Sequence, residues 1–213
     1  MDSAKEIAKD MLEAIHIDGS GFIGAVAKGV ISLPISLAYL GYDFIDTEHR
    51  RENQDDKFRL AALVKKVTFN DEVIYKVIKP FIDDFVSHVD MHKISHFSRN
   101  ISGSVIGKMM FSQFTGVNLG RAIISQGVGA FFSGSVAGGV LGVGAEASRS
   151  IYTSRYLRER NSIMYEKLNS MGDFDLFYYI VEDIVRPYET ACEIAKINSE
   201  EFNNVCEYFF GGL

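Results

Sequence analysis

Between Arg121 and Glu146 the chain carries 24 consecutive residues without a charge, AIISQGVGAFFSGSVAGGVLGVGA. This stretch constrains the fold more than any other. It is long enough for a helix of bilayer length, since about 20 apolar residues cross the hydrocarbon. Small residues recur along it every four positions: Ala130, Gly134, Gly138 and Gly142. A glycine inside a water-exposed helix costs roughly 0.5–1 kcal/mol relative to alanine. A ladder of them is better read as a surface on which two helices touch backbone to backbone, the device that joins helices in lipid.

The spacing recurs elsewhere. Gly21, Ala25 and Gly29 repeat it early in the chain, and Gly116 with Gly120 repeats it just ahead of the long stretch. Sixteen of the 19 glycines fall in two charge-poor segments, residues 19–42 and 101–145. The first contains one ionised residue, Lys28, and the second two, Lys108 and Arg121. Only 3 prolines accompany the glycines, so turns do not account for them. The longer segment has room for a helical hairpin.

The rest of the chain is charged and helical in pattern. Ser3 with Glu6 makes a capping box, and Ile7, Met11, Leu12 and Ile15 follow at helical spacing, which predicts an amphipathic helix over about residues 3–17. The same pattern excludes a secretory signal, so no Sec-type export is expected and the chain is placed in the cytoplasm of the cell that makes it. From Asp46 to Arg59, nine of 14 residues are charged, which predicts a solvated run. Asn70 or Asp71 caps a helix through Val73, Val77 and Ile78, with Pro80 opening a further turn that continues to about His96. Arg149, Arg155, Arg158 and Arg160 then form a basic flank of the kind that holds one end of a membrane helix on the cytoplasmic side. Three closing amphipathic helices are expected within 150–213: about 152–169, 173–186 with an Asp173 cap and a Pro187 stop, and 199–210 with a Ser199 cap. The fold class expected is all-α, with amphipathic helices around glycine-rich apolar ones in a single helical domain over 1–213, inserted in or associated with a membrane.

Charge narrows the functions. The net charge is −6, and residues 173–210 hold nine acids against two bases, which argues against nucleic-acid binding. Two cysteines, Cys192 and Cys206, cannot make a disulfide scaffold or a four-cysteine zinc site. No nucleophile elbow, phosphate-loop lysine, H-E-x-x-H or C-x-x-C is present, so neither a catalytic residue nor a cofactor is assigned. Residues 19–24, GSGFIG, match the glycine fingerprint of dinucleotide sites, with Asp43 and Asp46 near the place of the ribose acid. That motif needs a preceding strand, and Ala14–Ile17 reads instead as the end of a helix. Asp83-Asp84 and Glu182-Asp183 read as solvated helix faces.

His88, His92 and His96 stand four apart, on the helical face that carries Phe81, Phe85 and Val89. A metal site needs three or four ligands of fixed geometry, and no metal is assigned here. Protonation near pH 6 would charge an apolar face and loosen it, which makes the three histidines a candidate pH switch. A loose internal echo is also visible. Each glycine-rich segment leads into an aromatic and a threonine (Tyr42 to Thr47; Tyr152-Thr153) and then an arginine–glutamate group (Arg50-Arg51-Glu52; Arg158-Glu159-Arg160).

A chain of this size, with amphipathic helices around the apolar stretch Ile101–Ala145 and no enzyme motif, resembles the pore-forming domains of bacterial colicins. It departs from them in its glycine content and in the absence of receptor and translocation domains. In that respect it looks more like the small membrane-depolarising effectors delivered by type VI secretion. The resemblance implies an antibacterial toxin that is stored in the producer, acts at the inner membrane of a target cell, works as a homo-oligomer in the lipid bilayer, and has an immunity protein or a secretion chaperone as partner. A resident inner-membrane immunity or exclusion protein is the alternative, and a soluble helical interaction domain the third reading.

Overall fold

The computed structural model describes residues 3–15, 39, 41–67, 71–90, 93 and 140–211. Every regular element among them is helical. These are α1 (Ala4–Ile15), α2 (Arg50–Lys66), α3 (Asp71–His88), α4 (Val140–Arg160), α5 (Ser162–Ser170), a 3₁₀ turn (Phe174–Phe177), α6 (Tyr178–Ile197) and α7 (Ser199–Gly211), with a further helical turn over 41–45. The described residues are therefore all-α, as the periodicity predicts. No helix of the described residues is long and apolar enough to cross a membrane. Most of the two glycine-rich segments lies outside the described residues.

The helices divide into two compact units, each assembled from separated stretches: Met1–Asp18, Phe81–Gln126 and Glu182–Leu213 in the first, Gly19–Pro80 and Gly127–Val181 in the second.

The first unit has an aromatic core. α1 begins with the expected capping box: the Ser3 amide and hydroxyl both donate to Glu6, and the Glu6 amide returns a bond to Ser3 Oγ. Its buried stripe, Ala4, Ile7, Ala8, Met11 and Leu12, packs on α7. Phe85 of α3 is fully buried and meets the rings of Tyr188, Phe202 and Phe209 edge-on at 5.5, 5.8 and 5.8 Å. Such edge-to-face contacts contribute beyond the area they bury. The Tyr188 hydroxyl, also fully buried, donates to the carbonyl of Met11 and so ties α6 to α1.

The second unit is built on α4, whose residues Ser148 and Ser150 to Arg155 are all buried together with Leu157. The expected amphipathic helix over about 152–169 is thus the central helix of the unit, buried over most of residues 148–157 with Tyr156, Arg158 and Glu159 exposed, and it ends early. Asn161 leaves helical geometry (φ −141°, ψ 73°) and its side chain accepts from the Met164 amide, starting α5 as a separate helix. The buried hydroxyls of α4 are tolerated because each has a partner: Ser150 donates to the Leu176 carbonyl, Ser154 to Asp175 and Thr153 to the Arg149 carbonyl.

Four boundaries differ from the sequence reading. α3 runs without interruption through Pro80 and ends at His88, and Val89 and Asp90 are not helical. α6 runs through Pro187 to Ile197, so this proline does not stop it. Proline removes one amide donor from the helix. Here the carbonyl that loses its partner belongs to the exposed turn at Asp183, while Val185, Tyr188 and Ala191 are buried and hold the helix together. Asp173 stands at the N-cap position of the 3₁₀ turn but does not cap it with its side chain. It sits in the left-handed region (φ 64°) after Gly172 (φ 103°), and its side chain makes no capping bond. Finally, the cap of α7 is Asn198, whose Oδ1 accepts the amides of Glu200 and Glu201, in place of Ser199.

Candidate functional site

The charged run from Asp46 to Arg59 forms most of α2, and it is not simply solvated. Asn53 is buried, and Asp56 and Arg59 turn inward onto the second unit. Gly172 and Asp173 explain how the partners arrive. Their left-handed backbone, which glycine and aspartate tolerate better than most residues, reverses the chain after α5 and brings Asp173 and Asp175 to Arg59. Arg59 Nη2 donates to both oxygens of Asp175 at 2.9 and 3.0 Å, Nε to Asp173 at 2.9 Å and Nη1 to Asp56 at 2.8 Å. Asp175 is completely buried and takes two further bonds, from Ser154 Oγ at 2.6 Å and Asn169 Nδ2 at 3.2 Å. Burial alone would lower the Arg59 pKa, but the Asp175 charge and the bonds to Asp56, Asp173 and Asp175 outweigh it and push it further up. Arg155 adds a second cation to Asp56 at 2.7 Å.

One turn away, a smaller polar group surrounds Tyr152. Its hydroxyl donates to Asp46 at 2.9 Å and accepts from Asn53 Nδ2 at 3.0 Å. The other bond of the Asn53 amide goes to Asp43, which also holds Lys57 at 2.6 Å and Ser148 at 3.2 Å. Burial first, then the bond to Asp46, pushes the Tyr152 phenol up, so it stays protonated and donating at neutral pH. Burial would raise Asp46, but the bonds from His49 and Tyr152 prevail and hold it below its ordinary value. Each carboxylate in this group already holds a donor, which fits a structural role better than acid–base chemistry. Asn53 Oδ1 is the exception, buried without a hydrogen-bond partner.

These contacts join the two halves of the sequence echo. Tyr42 meets the Tyr152 ring edge-on at 4.9 Å, Tyr39 stacks on it at 6.1 Å, and Glu52 pairs with Arg158 at 3.3 Å. The chain leaving the first apolar segment is therefore held against the helix that leaves the second. The basic flank after Glu146 is in part internal: Arg155 and Arg158 face α2 carboxylates, and Arg149 lies over the Tyr179 ring.

Of the residues assigned to helix association, Gly142 lies in the first turn of α4. Gly21, Ala25, Gly29, Gly116, Gly120, Ala130, Gly134 and Gly138 lie outside the described residues, as do His92 and His96. His88 closes α3, half-buried, with Nδ1 2.8 Å from the Asp84 carbonyl and its ring against Phe202. Ala14 and Ile15 are the last residues of α1, so the strand required before the GSGFIG motif is not formed by them.

The sequence reading missed Cys192. One ring nitrogen of His88, a carboxylate oxygen of Asp84 and Cys192 Sγ lie within 4.8 Å of one another, and Asp84 is not on a solvated face. Burial, and then the Asp84 charge, push the Cys192 thiol well above its ordinary range. It is no ready nucleophile at neutral pH, and the His88 Nδ1 bond goes to a backbone carbonyl, so the trio lacks the geometry of a thiol protease triad. Cys206, also buried, is pushed up to about 12 by burial alone. Nothing in the amino-acid order links Cys192 to Asp84, 108 residues away. No protein family, curated protein or solved structure matches this chain.

Proposed function

We propose that this chain is a membrane-active, pore-forming antibacterial effector, which inserts its glycine-rich helices into a target cell's inner membrane and depolarises it. One observation carries the reading. The last six residues of the charge-free stretch, 140–145, open α4, which continues without a break as the central helix of a packed unit. The same unit anchors Tyr42 and Asp43, where the first apolar segment ends, through Tyr152 and Ser148. Two charge-poor segments with small residues four apart thus end on one polar platform, an arrangement suited to delivering both together to a bilayer. The acids of the C-terminal third would favour cations if they stood at the pore entrance.

Purified protein should conduct across a planar bilayer and collapse a membrane-potential dye signal in cells that direct it to the periplasm. The absence of both current and depolarisation would refute the proposal. Gly134→Leu with Gly138→Leu should impair the current and leave expression intact. Growth distinguishes the alternatives. A resident inner-membrane immunity or exclusion protein fractionates with membranes without arresting the cell, and a helical interaction domain stays in the cytosolic fraction.

A further inference from the structure

Asp84 and His88 stand one helical turn apart near the end of α3, and Cys192 faces them from α6 in the same unit. We propose that these three side chains form a binding site for a thiophilic divalent cation of the zinc class. Thiolate, imidazole and carboxylate together are the donor set that selects zinc or cobalt over magnesium and calcium. Metal–ligand bonds of about 2.0–2.3 Å place neighbouring tetrahedral ligands roughly 3.3–3.8 Å apart. The present spread, within 4.8 Å, closes to that by small side-chain rotations.

The surroundings support a cation. The bond from Nδ1 to the Asp84 carbonyl fixes the ring and its tautomer in the way metal-bound histidines are commonly held. Phe202 covers the imidazole and Phe85 fills the core behind it, giving the site a dry wall. The Cys192 thiol lies beside the Asp84 carboxylate and the His88 ring, and the metal takes the place of its proton. The step balances as Cys192–SH plus M²⁺ giving Cys192–S–M⁺ and one proton released to solvent. Three protein ligands leave a fourth position for water.

The probe is Co²⁺ added to the full-length chain. A thiolate-to-cobalt charge-transfer band in the near ultraviolet, with tetrahedral visible bands, is expected, together with release of about one proton per ion. Cys192→Ser should abolish the charge-transfer band, Cys206→Ser should preserve it, and His88→Gln should weaken binding by about 10-fold or more. Far-UV circular dichroism of each variant verifies the fold. Zinc should raise the Tm of the native chain and of Cys206→Ser, but not of Cys192→Ser. Absence of the band in the folded native chain would overturn the assignment. So would a band that survives Cys192→Ser, or one lost with Cys206→Ser. Histidines elsewhere cannot imitate the result, since nitrogen ligands give no thiolate band.

Discussion

Replacing Asp175 tests the polar interior of the second unit most sharply. Its carboxylate is fully buried and receives four contacts from three donors: two from Arg59 Nη2, one from Ser154 and one from Asn169. In Asp175→Asn one oxygen becomes an amino group. With that group at the Oδ2 position, Arg59 and Asn169 keep a carbonyl acceptor, and the Ser154 hydroxyl can turn to accept. The loss is then mainly the charge assistance to Arg59 and one mismatched contact at 3.0 Å. Hydrogen bonds to charged groups contribute roughly 1.5–3 kcal/mol. Arg59 keeps Asp56 and Asp173, and its side chain is 27% exposed, so water screens part of the loss. The expected cost of the asparagine variant is therefore about 2 kcal/mol. Asp175→Ala removes every acceptor and leaves a hole beside the buried Ser154 and the half-buried Arg59 and Asn169, and about 3–5 kcal/mol is expected, as for other broken buried pairs. Urea unfolding followed by circular dichroism reads this directly. With a slope of about 2 kcal/mol per molar for a chain of this size, the asparagine variant should shift the midpoint by about 1 M. The penalty should persist in about 1 M salt, because the group is shielded from ions. Glu52→Gln, which breaks the half-exposed pair with Arg158, is the control and should cost under about 1 kcal/mol. An alanine variant costing less than about 1 kcal/mol, or an asparagine variant as damaging as alanine, would refute this account of the core.

Phe85→Ala should cost about 3–5 kcal/mol in the first unit, since it empties the centre of an aromatic cluster. The measurement is chemical unfolding, and a loss below about 1.5 kcal/mol would mean the cluster is loosely packed. Glu6 is held below its ordinary value of 4.5 by its bonds with Ser3, chiefly the backbone one. A lowered folded pKa gives stability that is present above the unfolded value and lost as pH falls through the folded one. Glu6→Gln should therefore flatten the acid side of the stability profile as pH falls below the ordinary value of 4.5, and an unchanged slope would count against the capping box.

Where a few neighbouring residues settle the conformation, the amino-acid order was enough. The Ser3–Glu6 box and the stripe from Ile7 to Leu12 define α1 locally, because cap and apolar face both lie within four turns of chain. The all-helical class follows in the same way from a periodicity of three to four residues. Failures began where a distant partner outweighed local preference. Pro187 reads as a stop, yet burial of Val185, Tyr188 and Ala191 on either side holds α6 straight through it. Asp173 looks like a cap, but a backbone reversal at Gly172 commits its carboxylate to Arg59, 114 residues earlier in the chain.

The polar groups show the same division. Nine charges in 14 residues read as a solvated run, because nothing local reveals that Asp56 and Arg59 meet Arg155 and Asp175. The sequence echo between the segments after Tyr42 and after Tyr152 was legible as a pattern, but only packing showed that its halves touch. His88 was visible as a titratable group on an apolar face, whereas Cys192 joined it through the pairing of α3 with α6. Local chemistry therefore settled the helices and the two charge-poor stretches. Tertiary contacts settled which charges are buried and where the chain turns, because a buried charge is stable only beside a partner, and here most of those partners lie about 100 residues away.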